Sequence, residues 1–121
     1  MIVAGFGFRE KATIESLRDA LAATGAEDVE MLAIPLDKSH ADCFTALVDE
    51  LSLPVSRVNS ETLRSMDTAT QSAASQTHRG TGSVAEACAL AAAGSQAELV
   101  THRQVSSDRL ATCAIAIGAS A

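Results

Sequence analysis

Residues 83–93 (SVAEACALAAA) form a helix-prone run that is apolar nearly all round. Such a helix has no face for water, so it predicts burial against a sheet. Its side chains are small, so whatever lies beneath it must be small as well. Residues 110–118 supply that surface. Cys113, Ile115 and Ile117 alternate there with Thr112, Ala114 and Ala116, which gives a strand with one bulky and one small face. Gly80-Thr81-Gly82-Ser83 introduces the helix and Gly94 stops it. The chain has three Phe, no Tyr and no Trp, so Ala, Leu, Val and Ile must build the core and close helix approach is expected.

The other elements can be placed around this pair. Residues 1–6 are an apolar run that suits a first buried strand, ending in Gly5-Phe6-Gly7 as a glycine turn. Thr13 caps a helix whose apolar positions Ile14, Leu17, Ala20 and Leu21 follow the 3.6 period, with Gly25 after its last turn. Residues 30–36 read as a second strand that Pro35 stops at about Ile34. A helix over 40–52 carries Phe44, Leu47, Val48 and Leu51, and Pro54 opens a third strand through Val55 and Val58. Asn59 and Ser60 suit the cap of a brief helix holding Leu63 and Met66, and residues 67–79 read as a long loop. Strands over 97–105 and 110–118 close the chain, with Ser106-Ser107-Asp108 as a hairpin turn. The order βαβαβααββ predicts an α/β fold, a three-layer α/β/α sandwich. Its mixed, mostly parallel sheet should carry a C-terminal antiparallel hairpin. At 121 residues the chain reads as one domain over 1–121.

Composition excludes several function classes. Nine Lys and Arg against fifteen Asp and Glu leave a net charge of −6, which opposes the phosphate field of nucleic acid. No apolar run approaches the roughly 20 residues of a membrane span, and residues 1–6 are too short for a signal peptide. A cytoplasmic protein with no membrane partner is expected. Cys43, Cys88 and Cys113 show no CxxC spacing and read as reduced thiols, with Cys88 and Cys113 buried. His40, His78 and His102 have no ligand spacing, so neither a metal site nor a cofactor is expected.

Candidate chemistry gathers at the strand-to-helix junctions. Gly5-Phe6-Gly7 invites a dinucleotide reading, but Glu10 stands where the third glycine belongs. Two readings stay open for Gly80-Thr81-Gly82-Ser83: an anion site at a helix start, or an ordinary cap completed by Glu86. Arg9, Lys11, Lys38 and Arg79 lie at junctions that, in an open parallel sheet, emerge along one carboxyl edge where ligands collect. Cations gathered there in an acidic protein would suit an anionic ligand, and solvated surface side chains are the alternative. Ser83 with His78 or His102 does not sit on a GxSxG elbow, which argues against a hydrolytic triad.

Five stretches carry a family resemblance. They are Gly5-Phe6-Gly7-Phe8-Arg9, the run from Leu32 through Pro35 to Lys38, Leu53-Pro54, Thr81-Gly82-Ser83-Val84-Ala85-Glu86-Ala87, and Ala89-Leu90. Together they make the chain resemble the family of CobE and the C-terminal domain of CbiG, proteins of cobalamin (vitamin B12) biosynthesis. Its length, without the extra N-terminal region of CbiG, resembles stand-alone CobE of the aerobic pathway. The chain departs from the family pattern beyond Lys38, where Ser39-His40-Ala41 replaces an expected acidic residue, and at Arg103, where a lysine is common.

The resemblance implies an α/β/α fold and a precorrin or corrinoid intermediate as ligand, carried for transfer or assisted near ring contraction. Other cobalamin-pathway enzymes would be its partners. The alternative it implies is a hydrolase opening the ring-A δ-lactone of a (cobalt-)precorrin. Precorrins bear many acetate and propionate groups, so separated cations and amide donors around an apolar platform are required. Gly7, Phe8, Arg9, Lys38, Arg79, Thr81, Gly82 and Ser83 are the expected binding residues, with Phe6 and Phe8 bordering the ring face. Were the chain an enzyme, Glu86 as acid or base and Lys38 as electrostatic stabiliser would be the catalytic pair.

Overall fold

The glycines of the opening run decide how closely the layers meet. In the computed structural model, which describes residues 1–59, 61–62, 84–94 and 96–118, strand β1 spans Ile2–Phe8 and passes straight through Gly5 and Gly7. The turn expected at these glycines is therefore a strand, and the reason is packing. Helix α3 (Val84–Ala93) crosses β1 so closely that a Cβ on Gly5 would overlap the Ala85 carbonyl oxygen and lie 2.5 Å from Ala89 N. Glycine serves contact here, which also removes the dinucleotide reading of the motif.

The other described elements follow the predicted order. Helix α1 (Ile14–Thr24) starts at Thr13, whose Oγ1 accepts from Ser16 N at 3.3 Å, and ends at Gly25 with φ +72°. Strand β2 (Met31–Pro35) runs one residue beyond Ile34, because Pro35 still pairs in register with Val58. A single 3₁₀ turn over Leu36–Lys38 leads to helix α2 (Asp42–Leu51) and strand β3 (Val55–Val58). Asn59 Oδ1 accepts from Thr62 N at 2.8 Å, as a cap would. Leu63, Met66 and the loop expected over 67–79 lie outside the described residues. Strands β4 (Glu98–Val105) and β5 (Ala111–Ile117) form the C-terminal hairpin.

The five strands are ordered β3-β2-β1-β5-β4. β1, β2 and β3 are mutually parallel neighbours, and β5 is antiparallel to both β1 and β4. Registration places Ala33, Gly5 and Ala114 side by side across three strands, a floor with nothing larger than a methyl group. Ala85, Ala87, Cys88 and Ala89 of α3 are fully buried on that floor. The opposite face carries the large side chains Phe6, Leu32, Ile34, Cys113 and Ile115, packed with Leu17 of α1 and Phe44 and Leu47 of α2. Phe6 and Phe44 meet edge to face at 6.3 Å. The architecture is thus the expected α/β/α sandwich, with small residues on the α3 side and bulky ones on the other.

Cys88 and Cys113 are buried as expected, and Cys43 is half-buried. Burial pushes the Cys113 thiol well above its ordinary value. No helix among the described residues is long and apolar enough to cross a membrane.

Candidate functional site at the carboxyl edge of the sheet

Because β1 and β2 are parallel, their last residues leave the sheet at the same edge. Phe8 ends β1 half-buried, and the Lys38 ammonium, arriving from beyond β2, stands 5.5 Å from the centre of its ring. That cation–π contact joins the two strand ends and draws the lysine stem over an apolar platform. Arg9 is exposed beside Phe8, and its amide donates to Leu110 O at 2.8 Å. β5 therefore delivers its own starting loop to this edge, where Ala111 pairs with Phe8. Arg109, exposed in that loop, joins Arg9, Lys11 and Lys38 at the rim. Among the described residues none of these cations is in an ion pair, whereas Arg18 of α1 pairs with Glu50 of α2.

The remaining expected site residues separate. Gly7 is buried on the α3 face, where an added Cβ would lie 3.0 Å from Thr112 Oγ1, and its carbonyl accepts from that hydroxyl at 3.2 Å. Phe6 is fully buried in the core and cannot border a ligand, so Phe8 alone of that pair reaches the edge. Arg79, Thr81, Gly82, Ser83 and His78 lie outside the described residues.

Glu86 is fully buried in the first turn of α3. Its Oε2 accepts from the Arg103 amide at 2.9 Å and lies 3.8 Å from His102 Nδ1. These partners belong to β4, three inter-strand steps or about 14 Å from β2. α3 also covers the face opposite the one where Phe8 and Lys38 pack, so the structure does not set Glu86 beside Lys38.

The family model for the cobalamin synthesis G C-terminus matches residues 2–116. The chain belongs to that family. Solved structures agree with the assignment of this cobalamin-biosynthesis domain. The crystal structure of CobE, a protein of the cobalamin (vitamin B12) biosynthetic pathway, superposes with a TM-score of 0.85 at 29% identity, covering 96% of this chain and 89% of that one. Cobalamin biosynthesis protein chiG from Agrobacterium tumefaciens str. C58 gives a TM-score of 0.74 at 31% identity, covering 99% and 100%. Among curated proteins, none matches the chain.

In this CbiG C-terminal-type domain the rim is mixed in charge. Glu10, Asp37 and Asp108 share the connections that carry the cations, and Asp42 opens α2 just beyond Lys38. The Asp108 carboxylate is held below the usual carboxylate range, first by the Ser106 hydroxyl at 2.5 Å, then by the Ser16 hydroxyl at 2.6 Å and the Leu110 amide. Such a rim offers discrete cations rather than a broad positive field. Sequence reasoning missed Arg109, because its place depends on the antiparallel pairing of β5 with β1. The only signal was its position just after the hairpin turn.

Proposed function

We propose that this domain binds a precorrin or corrinoid intermediate of cobalamin biosynthesis at the carboxyl edge of its sheet, holding it for transfer or for a step near ring contraction. The observation that carries the reading is the line Lys38–Phe8–Arg9. It puts Lys38 against a half-buried ring and Arg9 next to that ring in the chain, both without described ion-pair partners. A macrocycle with ionised acetate and propionate arms needs that combination of flat apolar contact and separated donors. Membership of a cobalamin-synthesis family supports the choice of macrocycle.

Absorbance titration with cobyrinic acid, a corrin with free peripheral carboxylates, tests the assignment. Lys38→Ala and Arg9→Ala should each weaken binding by about fivefold, roughly 1 kcal/mol for a partly exposed charge contact. Unchanged affinity in both variants would remove the rim from the site. The lactone-opening alternative draws no support from a Glu86–Lys38 pair, since the two residues are on opposite faces of the sheet. Incubation with a lactone-bearing precorrin separates the readings: a stoichiometric spectral shift without product supports the carrier, and product over many turnovers supports the hydrolase.

A further inference from the structure

The turn between β4 and β5 is fastened to α1 at two points. Asp108 accepts from Ser16 Oγ at 2.6 Å and from Ser106 Oγ at 2.5 Å, and also from Leu110 N at 3.0 Å. One residue earlier, Ser107 donates through both its amide and its hydroxyl to Asp19 Oδ2, each at 2.6 Å. Arg109 follows directly. Its amide closes the turn on Ser106 O at 2.9 Å, and its backbone sits in the left-handed region at φ +63°. Glycine or asparagine occupies that conformation at lower cost, so an arginine there is a strained choice that points to use of its side chain.

We infer that Arg109 is a further ligand-contact residue of the rim, selecting for a free carboxylate on the periphery of the macrocycle. The inference rests on the corrinoid-binding reading above and deepens it. Asp108, the acid next to Arg109 in sequence, accepts from two hydroxyls and an amide, and no ion pair joins it to the guanidinium. Leu110 O holds the Arg9 amide, so Arg9 and Arg109 flank one backbone contact and complete a line from Lys38 across the ends of β2, β1 and β5. A guanidinium offers a planar pair of donors matched to a carboxylate, which an amidated arm cannot engage in the same way. Asp108, Ser16 and Ser106 are the positioning residues that fix where the fork stands.

The test uses Arg109→Gly and Arg109→Asn, both suited to left-handed backbone, titrated with cobyrinic acid and with cobinamide, a corrin whose peripheral acids are amides. Both variants should melt no lower than the parent, bind cobyrinic acid about tenfold more weakly and bind cobinamide unchanged. Asp108→Asn should reduce the preference for the acid in the same direction, and Arg109→Lys should restore part of it. Parental affinity for cobyrinic acid in the Arg109 variants, with Lys38→Ala still weakened, overturns the role of Arg109 and leaves the rim standing. Equal losses for the two corrins overturn carboxylate selection. A folded parent that binds neither corrin overturns the inference and the reading beneath it together.

Discussion

Two glycines show how one substitution has two physical meanings. At Gly5 an alanine methyl would meet the backbone of α3 at Ala85 and Ala89, which cannot rotate aside as a long side chain would. Gly5→Ala should cost about 3 kcal/mol through forced separation of helix and strand. At Gly25 nothing lies within 4 Å and only the left-handed φ of +72° is at issue, so Gly25→Ala should cost about 1 kcal/mol. Urea denaturation of the two variants checks the ranking, and an equal loss would contradict the contact argument. The sequence alone could not separate these cases. A glycine pair after an apolar run fits a turn as well as a strand under a helix, and the atoms that decide are about eighty residues away. Residues whose partners are local, such as Thr13 with Ser16 and the Gly25 stop, were legible from spacing.

At the scale of elements, one of the hairpin's two fastenings to α1 runs through a single hydroxyl. Ser16 Oγ has one proton, which goes to Asp108, while its lone pair accepts from Thr13 N at 3.1 Å. Ser16→Ala therefore loses the return bond of the capping box and an inter-element contact at once, and should destabilise by about 2 kcal/mol in thermal melts. The same contacts set a pH dependence. Asp108 is held low first by the Ser106 and then the Ser16 hydroxyl, and Asp19 is held low by the Ser107 hydroxyl and then its amide. Since both folded values are depressed, the stabilisation is present above the unfolded carboxylate value of about 4 and is lost as pH falls through the folded values. An Asp19→Asn/Asp108→Asn variant should thus show a flatter melting-temperature profile below about pH 4 than the parent.

The edge strand β4 is shaped by another device. Its register against β5 shifts between Leu99 and Thr101 and again between Thr101 and Gln104, leaving Val100 60% exposed. Irregularities of this kind blunt an edge against pairing with a further strand. Alternation predicted the hairpin but not these shifts, because a bulge keeps the residue types of a strand and changes only which neighbour each one faces.

Taken whole, the molecule sets a short-range attraction against a long-range repulsion. Its net charge of −6 would repel a polycarboxylate at a distance, while the proposed contacts Arg9, Lys38 and Arg109 would attract it at short range. Salt screens the first more than the second, so the association rate with cobyrinic acid should rise with ionic strength, measurable by stopped-flow absorbance. A rate that falls steeply would mean the rim dominates the far field. The layer order and the parallel-then-antiparallel sheet were legible because alternation and helical period report burial. The strand order was not, since nothing local tells β5 to enter between β1 and β4. That insertion governs how the protein is made. Residues 2–8 are made well before one of their flanking partners, 111–117. The middle of the sheet therefore cannot close until residues 111–117 are available to pair with 2–8.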